Sequence, residues 1–275
     1  MPELPEVEVT KRGISTVLNN AVIKSFLIYQ NRLRENISSE FKTLRDLQVL
    51  KLERRAKYIL ITTNQGVIIL HLGMTGNLKV IRADNLSLNP TKHDVADIVL
   101  DNGAIIRFND QRKFGLLQWV PSECSIDDNK WIKNLGIEPL SCDFSKEVLF
   151  NLLHSKKTNI KSALMNNSIV VGIGNIYASE ILFLSKISPF RKCCDLTIDE
   201  CKLLTQNIVI VLEEAIAKGG TTIKDFSNVD GKLGYFVQEL KVYGKAATPC
   251  CVCGEIIQSQ VINQRNTFFC PYCQK

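Results

Sequence analysis

Apolar residues open the chain at Leu4, Val7, Ile14, Val17 and Leu18, which share one face of a helix, and predict an N-terminal helix over residues 3–19. The pattern then changes. Lys57 to Thr63 and Val67 to Leu72 read as strands around the turn signal Asn64-Gln65-Gly66. Ile98 to Leu100 and Ile105 to Phe108 flank Asn102-Gly103, which predicts a two-residue hairpin turn. Leu116 to Val120 supplies a further strand. Together these runs predict an antiparallel β domain, a sandwich or flattened barrel, ending near Trp131 to Pro139. From Ser145 the spacing becomes helical. Ser145 can cap a helix to His154, and Asn159 can cap another from Ile160. Gly172-Ile173-Gly174 breaks the chain before Asn175 opens the next helix. A long helix from about Thr197 to Lys218 stops at Gly219-Gly220. Residues 221–240 have little periodicity and read as a mobile loop.

Composition narrows this picture. A chain of 275 residues with 45% hydrophobic and 23% charged residues can bury a full core and is expected to form two domains rather than one. No apolar run approaches bilayer length, and residues 1–20 lack the apolar core of a signal peptide, so a cytoplasmic protein with no membrane contact is expected. The net charge of +6 is modest but unevenly placed. Between Asn151 and Lys192, Lys156, Lys157, Lys161, Lys186, Arg191 and Lys192 face Glu180 as the only acid. From Lys241 onward, Lys241, Lys245, Arg265 and Lys275 face Glu255. Such regions suit a polyanion, or form a solvated basic surface with no partner.

The cysteines carry the clearest chemical signal. Cys250-x-x-Cys253, sixteen residues, then Cys270-x-x-Cys273 is a zinc-ribbon spacing. Four thiolates close a tetrahedral site, so the expected cofactor is one structural zinc worth on the order of 10 kcal/mol to a segment with little core. A redox role is disfavoured because neither pair sits in a βαβ context, and Cys251 reads as a spectator. Between the pairs, Gln264-Arg265-Asn266-Thr267 reads as a phosphate-contacting hairpin tip or a plain polar turn. Gly172-Ile173-Gly174-Asn175 does not follow a strand and is no dinucleotide fingerprint, although its helix N-terminus could hold a phosphate oxygen.

The first residues, Met1-Pro2-Glu3-Leu4-Pro5-Glu6, allow two readings. Pro2 and Pro5 can simply start a helix whose positive end Glu3 and Glu6 favour. Alternatively, loss of Met1 exposes a secondary amine beside a carboxylate. A terminal amine deprotonates roughly 2–3 units below a lysine. Its attack on an aldehyde-level carbon yields an iminium that can drive elimination.

The chain resembles bacterial formamidopyrimidine-DNA glycosylase. The resemblance rests on Pro2 to Glu6, Arg54-Arg55-Ala56-Lys57-Tyr58, His71-Leu72-Gly73-Met74-Thr75-Gly76, Lys92-His93-Asp94, Asp110 to Gly115, Gly172 to Glu180 and the four-cysteine finger. It implies an α+β fold with three segments. These are an N-terminal catalytic helix and antiparallel β-sandwich domain (1–135), a helical DNA-binding domain with a helix–two-turn–helix and lesion loop (136–240), and a β-hairpin zinc finger (241–275). It implies a base-excision-repair enzyme that excises 8-oxoguanine and formamidopyrimidines from double-stranded DNA and then cleaves the abasic strand by β,δ-elimination. A nucleoid-associated monomer is expected.

By resemblance Pro2 is the nucleophile, Glu3 the proton donor, Lys57 the lysine assisting β-elimination and Arg265 the residue tied to δ-elimination. His93, Arg112 and Lys157 match phosphate contacts, and Asn175 begins the helix of the family's helix–two-turn–helix. Met74, Arg112 and Phe114 match side chains inserted where the damaged nucleotide leaves the stack. From residue type alone, Met74 and Phe114 are core positions. Gly219-Gly220-Thr221-Thr222 through Tyr235-Phe236 resembles the loop that closes over the lesion. Two departures stand out. Val95-Ala96-Asp97 replaces the usual His-Val-Asp, and is expected to weaken a local hydrogen bond. Gly231-Lys232-Leu233-Gly234 lacks the usual proline. The nearest alternative is the endonuclease VIII type, directed at oxidised pyrimidines, which normally has glycine where Leu4 stands. A zinc-ribbon binding protein without catalysis leaves Pro2, Glu3 and Lys57 unexplained.

Overall fold

The structure is a computed structural model that describes residues 1–82, 89–221 and 236–275. It divides into two compact units, Met1–Lys133 with the segment from Lys218, and Asn134–Ala217 with the segment from Phe236.

The first unit begins with α1 (Leu4–Leu18), followed by β1 (Val22–Ile28), β2 (Leu47–Arg55), β3 (Tyr58–Thr63), β4 (Gly66–His71), β5 (Asn77–Ile81), β6 (Asp94–Leu100), β7 (Ile105–Asn109) and β8 (Leu116–Pro121). The strands pair antiparallel in the order β5-β7-β6-β1-β2-β3-β4-β8. β1 meets β2 only at Val22–Gln48 and Ile23–Leu47, so the sheet has two four-stranded halves joined at one corner. A single hydrophobic cluster draws Phe26, Ile98, Ile106 and Phe108 from one half and Ile59, Ile61, Ile68 and Leu70 from the other. Val7, Ile14 and Leu18 of α1 join the same cluster. This is the expected sandwich. One turn differs from expectation. The β6–β7 connection spans Asp101 to Ala104, with the Gly103 N–H donating to the Leu100 carbonyl at 3.3 Å and Gly103 at φ +79°. A type I turn followed by a left-handed glycine takes the place of the two-residue turn.

The second unit holds α2 (Lys146–Leu153), α3 (Ile160–Leu164), α4 (Asn175–Leu184), α5 (Ile198–Ala217) and the hairpin β9 (Gln258–Ile262) to β10 (Arg265–Phe269). Ser145 and Asn159 cap α2 and α3 as predicted, accepting from the Val148 and Ser162 N–H groups at 3.3 and 2.9 Å. Residues Ile176 to Phe183 of α4 are all buried, so α4 is a core helix. Glu180 lies inside it, and its carboxylate accepts from the Lys241, Val242 and Tyr243 N–H groups at 2.7, 3.0 and 2.8 Å. That clasp fixes the chain entering the β9–β10 hairpin against α4. Among the described residues, no helix is long and apolar enough to cross a membrane.

Strand register decides which loops meet in the first unit. Tyr58 pairs with His71 and His71 with Leu116, so the β2–β3 turn, the end of β4 and the start of β8 share one end. Asn77 and Asp94 both pair with Asn109, which brings together the start of β5, the start of β6 and the end of β7. The Gly73 N–H donates to His71 Nδ1 at 2.8 Å. Burial pushes the His71 imidazole down to about 3, and the nearby Arg34 and Lys57 cations add to that shift. His71 is therefore neutral, with its proton on Nε2. Next to the start of β6, Arg107 forms a buried fork on Asp97, with Nε–Oδ1 at 2.8 Å and Nη2–Oδ2 at 2.7 Å. Asp94 accepts from Asn109 Nδ2 at 2.7 Å and from the Thr91 N–H at 2.6 Å, holding the turn that carries His93.

Two stability outcomes follow. Asp97→Ala leaves Arg107 buried without its bidentate partner and should cost about 3–5 kcal/mol, read as a lower urea midpoint. His71 has a folded pKa below its unfolded value, so its contribution is complete above about pH 6.5 and is lost as pH falls toward 3. Urea unfolding across that window should show stability falling with acid, and falling less steeply in His71→Gln.

Candidate active site and nucleic-acid interface

Helix α1 begins in an unusual knot. Glu3 is its N-cap and Pro5 lies in its first turn. The Glu3 N–H donates to Glu6 Oε2 at 2.8 Å, part of a reciprocal capping box between these two buried acids. The other Glu6 oxygen accepts from the Thr221 N–H at 2.8 Å. Gly220 sits at φ +80°, where an added Cβ would lie 3.0 Å from Glu6 Oε1. One carboxylate thus holds both the backbone next to Pro2 and the backbone that follows α5. Pro2 itself is buried and Met1 is half exposed.

Glu8, one turn further, anchors this helix to the lysine turn. Burial pushes the Glu8 carboxyl up, but Lys11, Arg12 and Arg54 outweigh it and hold it below the usual range. Arg54 Nε donates to Glu8 Oε2 at 3.2 Å, and its Nη1 donates to the Ala56 carbonyl at 3.0 Å. Ala56 and Lys57 form the two-residue β2–β3 loop, with Ala56 at φ +54°. A non-glycine residue there costs roughly 1–2 kcal/mol. Lys57 is buried and near enough to His71 to depress its basicity.

Met74, Arg112 and Phe114 come together at the same end of the sandwich. An added Cβ at Gly73 would come within 2.5 Å of the Gly115 nitrogen and the Phe114 carbonyl carbon, so the two loops touch backbone to backbone. Met74 is half buried, and Phe114 is 43% exposed. The Arg112 guanidinium lies 4.9 Å from the Phe114 ring centroid. Beneath them Asp110 is fully buried and bonded to Thr75 and to the Gly115 backbone. The Asp110 N–H donates to the His93 carbonyl at 2.9 Å, which joins the half-buried His93 to this group.

In the second unit the β9–β10 hairpin turns through Asn263 and Gln264 at φ +47° and +62°, the signature of a type I′ turn made without glycine. The turn presents Arg265, which is exposed, as is Lys157. Asn175 Nδ2 donates to the Asn266 carbonyl at 2.9 Å, while its buried Oδ1 has no hydrogen-bond partner among the described residues. Lys161 is buried and donates to Thr267 Oγ1 at 2.6 Å and to the Asn266 carbonyl at 3.3 Å. Asn263 Nδ2 reaches Ser162 Oγ at 2.8 Å. The hairpin is stapled to α3 and α4 by side chains, so Arg265 and Asn175 belong to one surface.

The sulfurs of Cys250, Cys253, Cys270 and Cys273 all lie within 4.8 Å of one another. Cys250–Cys273 is 3.9 Å and Cys253–Cys270 is 3.5 Å. A zinc tetrathiolate with bonds of about 2.3 Å has edges of about 3.8 Å, so the cluster fits one zinc ion. Burial raises the Cys250 thiol, but the Val252 and Cys253 N–H groups outweigh it and bring it to about 7. Phe183, Val242 and Ile257 pack with Cys250 and Cys270 in the small core below. Cys251 is exposed and outside the cluster.

Residue types alone do not point to Glu6, Thr75 or Asp110 as organisers, although each lies in a quoted motif, and burial of a polar side chain is the signal that marks it. Lys161, counted in the sequence with the basic residues that suit a polyanion, is instead buried against the hairpin. Val95, where the chain departs from the family pattern, is fully buried in the hydrophobic cluster, and its carbonyl still accepts from the Tyr29 and Gln30 N–H groups. The expected lesion-loop residues Thr222, Gly231 to Gly234 and Tyr235 lie outside the described residues.

Comparison with known proteins covers the whole chain. Family models match for the formamidopyrimidine-DNA glycosylase N-terminal domain over residues 1–117, its H2TH domain over 135–227, and the zinc finger found in FPG and IleRS over 248–275. The formamidopyrimidine-DNA glycosylase of Haemophilus influenzae (strain PittEE) is 47% identical over 275 residues, covering 100% of this chain and 99% of the relative. That of Vibrio vulnificus (strain CMCP6) is 48% identical, with both chains fully covered. A Lactococcus lactis Fpg in complex with an abasic site containing DNA superposes with a TM-score of 0.90 at 30% identity, covering 99% of each chain. A second Lactococcus lactis Fpg complex, with an oxidised pyrimidine containing DNA, gives 0.88 at 30% identity over 100% of each. The chain therefore belongs to the formamidopyrimidine-DNA glycosylase family.

Proposed function

We propose that this DNA glycosylase of base excision repair excises oxidised purines from duplex DNA through Pro2, and cuts the abasic strand in the same encounter. The observation that carries this reading is the meeting of Lys57, Met74, His93, Arg112 and Phe114 at one end of the sandwich, to which Glu8–Arg54 ties the start of α1. Once Met1 is gone, the Pro2 amine attacks C1′ and the damaged base departs with its bonding electrons. Glu3 supplies a proton to the sugar ring oxygen as the ring opens, leaving an iminium on Pro2. Loss of the C2′ proton, assisted by Lys57, expels the 3′ phosphate. The second elimination, which Arg265 assists, expels the 5′ phosphate, and water then hydrolyses the iminium, releasing the sugar fragment as an aldehyde and restoring the Pro2 amine.

His93, Arg112, Lys157, Asn175 and Arg265 grip backbone phosphates, so binding weakens steeply with salt. Met74, Arg112 and Phe114 fill the space the flipped nucleotide leaves. In this division of labour residues 1–135 supply Pro2, Glu3 and Lys57, 136–240 bind DNA and carry the lesion loop, and 241–275 form the zinc finger that presents Arg265. Cys250, Cys253, Cys270 and Cys273 would hold one zinc ion, which supplies folding energy and no chemistry. The nucleoid, as a monomer, is the proposed place of work.

Oxidised pyrimidines are the second reading, favoured by the Lactococcus lactis complex with such a lesion. Borohydride trapping on matched 8-oxoguanine and oxidised-pyrimidine duplexes decides between them. A stronger covalent adduct on 8-oxoguanine opposite cytosine is expected, and no adduct from protein with a verified Pro2 terminus sinks the nucleophile assignment. Zinc removal gives a separate outcome. One equivalent of zinc should be found by elemental analysis, and chelation should abolish DNA binding; fully active zinc-free protein would refute the structural role.

A further inference from the structure

We propose that Asp110 and Thr75 are positioning residues that lock the Met74 turn and the Arg112–Phe114 arch into a single rigid wedge. The inference rests on the insertion role proposed for Met74, Arg112 and Phe114. Asp110 is fully buried, so it acts through its neighbours. Its Oδ1 accepts from Thr75 Oγ1 at 2.7 Å and from the Arg112 N–H at 3.3 Å. Its Oδ2 accepts from the Gly115 N–H at 2.8 Å. Thr75 Oγ1 also accepts from the Arg112 N–H, at 3.0 Å. One carboxylate thus holds both ends of the arch and, through Thr75, the neighbouring turn.

The arch needs that support. Lys113 at its crown stands at φ +57°, a conformation disfavoured for a residue with a Cβ. Phe114 is partly exposed and braced on one face by the Arg112 guanidinium. The close approach of Gly73 to Phe114 and Gly115 means that movement of one loop displaces the other. Inserted side chains must keep separated bases from restacking, so a compliant arch lowers the population of the flipped nucleotide. Asparagine is a poor substitute for the aspartate. With its one oxygen on the Gly115 N–H, its amide faces the Arg112 N–H and forces the Thr75 hydroxyl to turn from donor to acceptor; flipped, it points a donor at the Gly115 N–H.

The test compares Asp110→Asn, Thr75→Val and Thr75→Ser with Arg112→Ala and Phe114→Ala as references. Single-turnover excision is measured on an 8-oxoguanine:cytosine duplex with 2-aminopurine beside the lesion, whose fluorescence rises on unstacking. Borohydride trapping on a single-stranded abasic oligonucleotide reports chemistry that needs no wedge. Asp110→Asn and Thr75→Val should slow duplex excision by about 10²-fold and lose the fluorescence rise. Both should trap the single strand at the wild-type level, and Thr75→Ser should restore duplex excision. If Asp110→Asn misfolds on thermal melting, the Thr75 pair carries the comparison. Normal excision and fluorescence in Thr75→Val and in folded Asp110→Asn, beside an impaired Phe114→Ala, overturns the clasp. Equal loss of single-strand trapping in folded variants also overturns it. If Phe114→Ala and Arg112→Ala are both normal, the wedge reading itself fails.

Discussion

Everything assembled at the end of the sandwich depends on antiparallel register. Side chains alternate across a strand, so a slip of one residue turns every inward position outward. Tyr58, His71 and Leu116 stand opposite one another across β3, β4 and β8. Asn77, Asn109 and Asp94 do the same across β5, β7 and β6. With those pairs set, loops separated by dozens of residues open at the same place. The hydrophobic cluster enforces the register, because Ile59, Ile61, Ile68 and Leu70 reach it only with these pairings.

On that platform, buried acids do the fastening. Glu6, Glu8, Asp94, Asp97, Asp110 and Glu180 all accept backbone N–H groups or cationic side chains inside the protein. Each is costly to bury alone and holds its surroundings firmly once its partners are present. None is proposed to touch DNA except through the residues it orients. A basic outer surface for phosphates and an acidic inner frame for loops are thus separate parts of one charge distribution.

Much of this was legible in the sequence, and the exceptions have physical causes. The caps Ser145 and Asn159, the turn Asn64-Gln65-Gly66 and the zinc spacing are local signals, and local signals survive folding. β1 gives no strand signal because a bulge between Ile23 and Ser25 breaks its alternation, leaving Ile23 and Phe26 inward three positions apart. β2 is hidden by a similar irregularity between Val49 and Lys51 and by the charged residues Lys51, Glu53, Arg54 and Arg55 toward its end. Phe114 reads as a core residue because residue type carries no information about which side of an arch it takes. The arch that carries it is bonded to Asp110, and Asp110 in turn to Thr75, 35 residues away in the chain.

The carboxylate of Glu6 has a consequence for biosynthesis. Its partners are Glu3, three residues before it, and Thr221, 215 residues after it. A ribosome releases the start of α1 first, and the β sandwich can form while the second unit is still being made. The hydrogen bond from Thr221 cannot form until α5 has been synthesised and the chain has returned to the first unit. The end of the protein that is made first is therefore finished among the last. A nascent chain holds the start of α1 in an incomplete setting until residue 221 has been made, and only then does the Glu6–Thr221 contact form beside the proposed nucleophile.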